Sequence, residues 1–233
     1  MIHFAIIFIS CILLGGFMSH AGERVVLLHG LCRSSDSMKK MELALEKSGY
    51  EVFNIDYPSR KETIEELTED IYFQVRTFSG GKPVHFVTHS MGGIIVRQLA
   101  KAYPDVKINR VVMLSPPNHG SEVTDKLHDW ALYKWLNGPA GQQLGTESTS
   151  LVNRLGPANF EVGILTGDRS INWILSMMIP GDDDGKVSIE SARLEGMKDF
   201  KVIHATHPFI MKKGLTIKLV KRFLENGCFS DEP

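Results

Sequence analysis

Ser90 stands in V-T-H-S-M-G-G (87–93), between the apolar run Pro83-Val84-His85-Phe86-Val87 and the apolar-rich stretch Ile94-Ile95-Val96. A serine hydroxyl is a poor nucleophile at neutral pH unless a nearby base takes its proton. A sharp strand-to-helix turn exposes such a serine, and it needs small flanking residues, because larger side chains would strike the adjoining strand and helix. The spacing here is T-H-S-M-G, with Thr88 where such turns usually carry their first glycine, followed by Gly92 and Gly93. The pattern makes Ser90 the candidate nucleophile. The alternative is an ordinary serine at the end of a strand.

The base must come from the nine histidines. His207, in V-I-H-A-T-H-P-F, follows a β-rich run and precedes Pro208, which places it at a strand's carboxyl end, as Ser90 is. His204 reads as lying inside that strand and is the alternative. A carboxylate is then needed to fix the imidazole tautomer and stabilise its protonated form. Asp168, directly after E-V-G-I-L-T-G, and the run Asp182-Asp183-Asp184 are both placed to supply it, and the residues alone do not separate them. An oxyanion formed by attack needs two N–H donors. The amide of Met91, after the nucleophile, is one. The amide of Leu31 is the other, with Gly30 in V-V-L-L-H-G-L letting the backbone approach and His29 as a structural hydrogen-bonding group.

The elements that must position these groups are legible in the apolar periodicity. R-V-V-L-L, Y-E-V-F-N-I-D-Y, P-V-H-F-V-T-H, R-V-V-M-L-S, E-V-G-I-L-T-G and F-K-V-I-H-A-T are short buried-strand runs. Helical stretches alternate with them. In T-I-E-E-L-T-E-D-I-Y-F-Q-V-R-T-F, residues Ile64, Leu67, Ile71, Val75 and Phe78 share one face, and Thr63 with Glu66 forms a capping box. S-D-S-M-K-K-M-E-L-A-L-E-K-S-G and G-L-T-I-K-L-V-K-R-F-L-E-N-G are two further helices. Six strands alternating with helices predict a mostly parallel sheet covered on both faces, with its ligand site beyond the carboxyl ends of the strands.

One segment breaks the rhythm. Residues 118–159 replace a compact crossover and contain Trp130, Leu132, Tyr133, Trp135 and Leu136. This stretch reads either as a longer helix with a buried apolar face or as a cap in which Trp130 and Trp135 border an acyl pocket. On the second reading, uncharged acyl groups of short to medium length fit and strongly charged ones do not.

A net charge of −1 with 23% charged residues offers no basic face for nucleic acid. Within residues 1–21, Met1 is followed by I-H-F-A-I-I-F-I-S-C-I-L-L-G-G-F-M (2–18), free of Lys, Arg, Asp and Glu, and the segment closes on Ser19-His20-Ala21. This reads as an export signal, with an uncleaved membrane anchor as the alternative, so the chain is expected in the periplasm or outside the cell. Once a leader is removed two cysteines remain, Cys32 and Cys228, and nothing in their spacing pairs them. No C-x-x-C is present and no metal-ligand set is identifiable.

Taken together, L-L-H-G-L, T-H-S-M-G-G, L-S-P-P-N-H-G-S, D-D-G-K-V-S-I-E-S-A and A-T-H-P-F resemble the bacterial lipases and lipase-like serine esterases of the α/β-hydrolase superfamily. The resemblance runs from residue 24 to 224 and implies one α/β-hydrolase domain over 22–233, with the insertion at about 118–159. It also implies that D-G-x-V carries the acid, which selects Asp184, 23 residues before His207, over Asp168. The implied activity is hydrolysis of small-molecule or lipid carboxylic esters by Ser90, His207 and Asp184, without a cofactor. An acyltransferase or thioesterase with the same three residues, or a noncatalytic binding member of the fold, is the alternative.

Overall fold

The computed structural model describes residues 20, 22–170, 179 and 181–230. The leader expected over 1–21 lies outside the described residues, His20 apart. Among the described residues no helix is long and apolar enough to cross a membrane.

Six strands form one sheet, all parallel: β1 (Arg24–Leu28), β2 (Glu51–Ile55), β3 (Val84–His89), β4 (Ile108–Leu114), β5 (Glu161–Gly167) and β6 (Asp199–Ile203). Their order is β2-β1-β3-β4-β5-β6. The chain therefore reverses its direction of travel across the sheet between β1 and β3, and the crevice at such a switch point is where open parallel sheets take ligands.

Period-two alternation sorts the strand residues onto two cores. Val26, Leu28, Phe86, Val111 and Ile164 pack under α2 (Ile64–Ser79) and α3 (Met91–Ala102). Val25, Leu27, Val87, Val112 and Leu165 pack on the other face, under α1 (Lys39–Glu46) and the C-terminal helix Gly214–Asn226. Burial on both faces explains why the strands read as continuous apolar runs. Thr63 accepts from the Glu66 amide while the Glu66 carboxylate accepts from the Thr63 amide, so the expected capping box opens α2.

The insertion holds α4 (Glu122–Leu127), α5 (Ala131–Gln142) and a short turn of helix at Leu151–Arg154. It is broken rather than one long crossover. Gly138 adopts φ 63°, ψ −169° and interrupts α5 ahead of Pro139. A Cβ at Gly138 would lie 1.8 Å from the Arg60 carbonyl oxygen, so glycine is required on both steric and conformational grounds. A buried guanidinium ties the insertion down: Arg97 on α3 donates to the carbonyls of Asn118, Val152 and Gly156, each at 2.9 Å. Three carbonyls that a loop would otherwise leave buried and unpaired are thereby satisfied.

Candidate active site

Ser90 follows β3 directly and precedes the first residue of α3, with φ 52° and ψ −123°. A non-glycine residue with positive φ is strained, and the turn is held by the Ser90 amide donating to the Leu114 carbonyl at 2.8 Å. Met91 opens α3, where a helix leaves its N–H without an intrahelical acceptor. Opposite it runs the loop after β1. A Cβ on Gly30 would meet His89 Nδ1 at 2.7 Å and Ser90 Cβ at 3.1 Å, so glycine is what lets this backbone reach the serine. His29 is buried and stacks on Tyr57 at 4.0 Å between centroids, with the Tyr57 hydroxyl donating to the His29 carbonyl. Its Nδ1 lies 2.9 Å from the Gly30 carbonyl oxygen and its Nε2 accepts from the Tyr57 amide at 3.4 Å, so both ring nitrogens are engaged by backbone.

His207 lies beyond β6, and its Nε2 is 3.1 Å from Ser90 Oγ. On the other side of the ring, Nδ1 is 2.8 Å from Asp184 Oδ2. Asp184 is fully buried; its second oxygen accepts from the amides of Lys186 at 3.1 Å and Val187 at 2.9 Å. Burial alone would push this carboxyl's pKa up, but the adjacent His207 and the donated hydrogen bonds outweigh it, and the net shift is downward. Asp184 is thus an anion at neutral pH, and an anion there holds Nδ1–H as donor and leaves Nε2 free to accept from the serine. The His207 amide also donates to the Asp184 carbonyl at 2.9 Å, so main chain and side chain join the two loops together.

The remaining candidates lie elsewhere. Asp168 is 2.6 Å from His204, not from His207. His204 falls one residue past β6 rather than inside it, and its side chain is 78% exposed. His89 is buried, and its Nε2 donates to the His207 carbonyl at 3.0 Å. Burial, with His207 beside it, holds the His89 imidazole well below its ordinary value, so it stays neutral. A cleft of about 320 Å³ opens over Ser90, lined by Leu31, Cys32, Arg33, Lys186, His207 and Pro208 among others. Trp130 and Trp135, expected to wall an acyl pocket, do not line this cleft; they are 64% and 70% exposed. For Trp135 the reason is the face α5 presents, since Asn137, one turn after Tyr133, points inward and leaves that indole on the outer side; Trp130 precedes the helix in extended backbone, at φ −70° and ψ 125°. The site also contains two cations that sequence reasoning passed over, Arg33 and Lys186. Their only local signal is adjacency, two residues beyond Leu31 and two beyond Asp184.

Residues 23–165 match the alpha/beta hydrolase fold family. The chain belongs to that family. This α/β hydrolase is similar in structure to a Bacillus licheniformis lipase in its mature form, with TM-score 0.70 and 22% identity, over 88% of this chain and 91% of that one. A metagenomic carboxyl esterase superimposes with TM-score 0.68 and 22% identity, over 82% of this chain and 66% of that one. At such identities the likeness is one of fold. In sequence, a lysosomal thioesterase of Xenopus laevis is 28% identical over 105 residues, which is 41% of this α/β hydrolase and 36% of that relative's length.

Proposed function

We propose that this α/β hydrolase is a serine hydrolase of carboxylic esters. The observation that carries the reading is the relay from Ser90 Oγ through His207 to the buried Asp184, at 3.1 and 2.8 Å. Ser90 Oγ attacks the acyl carbonyl as its proton passes to His207 Nε2. The amides of Leu31 and Met91 hold the oxyanion, His207 returns the proton to the departing alcohol, and the acyl group stays on Ser90. Water, deprotonated by the same imidazole, then releases the acid. Asp184 keeps the ring in the tautomer this requires. A thioester is a second substrate class, favoured by the likeness to a thioesterase over 105 residues. It uses the same steps with a thiol as leaving group.

Labelling with a fluorophosphonate, followed by hydrolysis of matched oxygen esters and thioesters, tests both readings. Wild-type protein is expected to label at Ser90. Ser90→Ala is expected to lose labelling and about 10⁴-fold or more of the turnover while melting as the wild type does. Near wild-type turnover in a folded Ser90→Ala protein removes Ser90 from the chemistry. The oxygen-to-sulfur rate ratio chooses between ester and thioester.

A further inference from the structure

The cleft over Ser90 carries more positive charge than the hydrolysis of a neutral ester needs. Arg33 enters it from the loop after β1, and Lys186 enters it from the acid loop. Neither belongs to an ion pair among the described residues. The carboxylate that lines the cleft, Asp184, is buried and bonded to His207 and two amides, and no ion pair joins it to either cation.

The ordinary reading of a surface lysine or arginine is a solvated charge on a free stem. Lys186 departs from it. Its amide donates to Asp184 Oδ1 at 3.1 Å and its carbonyl accepts from Ser121 Oγ at 3.1 Å, so its backbone is fixed to the relay itself. It is half-buried, and loss of hydration lowers its ammonium pKa from 10.5, with the charge of Arg33 acting in the same direction and Cys32 and Asp184 opposing it. Both cations also contribute, after burial and His207, to the depressed pKa of His89 beside Ser90. Two like charges converge from separate loops in one cleft whose lining carboxylate, Asp184, is already bonded to His207, so their mutual repulsion is relieved when a further anion lies between them.

We infer that Arg33 and Lys186 form an anion-recognition subsite of the Ser90 cleft, so that the preferred esters carry a carboxylate or phosphate beside the scissile bond. The inference rests on the reading of Ser90 as nucleophile, and it reverses the expectation that charged substrates are poor. In a cleft of about 320 Å³ the anion and the carbonyl are separated by only a few carbon atoms.

Matched substrate pairs test it and locate the anion. In the acyl arm, para-nitrophenyl pentanoate is compared with the para-nitrophenyl monoester of glutaric acid, its carboxylate counterpart. In the leaving-group arm, butyryl glycerol is compared with butyryl glycerol phosphate. The quantity read is the ratio of kcat/KM for the anionic to the neutral ester, so any general loss of activity cancels. In at least one arm the wild-type ratio is expected to be about tenfold in favour of the anion and to shrink as salt is added. Arg33→Met and Lys186→Met should each lower it several-fold, whereas Arg33→Lys and Lys186→Arg keep most of it. A ratio at or below one in both arms, or one unmoved by both methionine variants, overturns the subsite. Calorimetric binding of glutarate and of glycerol phosphate to the Ser90→Ala protein judges it without turnover. Binding weakened by either methionine change supports it; no binding, or binding indifferent to both changes, overturns it. Failure of all esters and of fluorophosphonate labelling, with anion binding intact, would count against the hydrolase reading alone.

Discussion

Two regions at the carboxyl edge of the sheet are assembled in opposite ways. The loops bearing Ser90, Asp184 and His207 turn polar groups inward and bond them: the elbow amide to Leu114, Asp184 to His207 and two amides, the His207 amide to the Asp184 carbonyl. Helix α5 turns apolar groups outward. Leu132, Trp135 and Leu136 face solvent, as does Trp130 just before the helix, while Tyr133 bonds the Thr124 hydroxyl at 2.8 Å and Asn137 bonds the Tyr133 carbonyl at 3.0 Å. Arg60 lies over the Trp135 ring, 5.6 Å from its centroid, and donates to the Trp135 carbonyl at 3.2 Å. The contrast teaches that the number of apolar residues in a segment does not say where it is buried. What decides is which turn of the helix meets the rest of the protein, and here the inward turn is polar.

The largest break between the regions is expected from the acid. Asp184→Asn should lower kcat by about 10³-fold to 10⁴-fold, because an amide there favours the wrong tautomer of His207. Asp168→Asn, which loses only a partner of the exposed His204, should leave kcat near wild type and change stability by at most about 1 kcal/mol. Steady-state kinetics on both variants, with melting curves to verify folding, decides it. A silent but folded Asp168→Asn protein would show that the relay runs through the other carboxylate.

A smaller effect should separate the regions by pH. His29 and His89 sit in the frame around Ser90, and burial lowers both imidazoles below their ordinary 6.5. The unfolded chain therefore takes up protons first as pH falls. The stability these neutral rings allow is complete above about pH 6.5 and is lost below it, by up to about 1.4 kcal/mol per pH unit for each ring. Melting temperature should drop between about pH 7.5 and pH 5.5, and drop less in His89→Gln. An unchanged melting temperature over that range, or an equal drop in the variant, would remove these histidines from the frame's energetics.

The smallest change belongs to α5. Trp135→Ala and Leu132→Ala remove side chains already in water, so each should shift unfolding free energy by no more than about 0.5 kcal/mol. Denaturant titration checks this. A loss of about 2 kcal/mol or more would mean that the outward face of α5 is covered in solution, and the comparison would fail on that side.

Much of the frame was legible because it depends on short-range rules. Alternating strands and helices, the small residues around Ser90, the capping box at Thr63 and Glu66, and the place of His207 just past a strand all follow from periodicity and sterics over a few neighbours. Residues alone left Asp168 and Asp184 balanced, since each follows β5 and nothing local measures the distance to His207. The choice rested on resemblance. Tertiary structure puts Asp184 at 2.8 Å from that ring and gives Asp168 to His204. It also decided what composition obscured: that the indoles of 130 and 135 face outward, that Gly138 breaks the helix carrying Trp135 against the Arg60 carbonyl, and that Arg33 and Lys186, 153 positions apart, share one cleft. Periodicity acts along the chain, whereas a cleft is closed across it, by strand order and the paths of loops from β1 and β5.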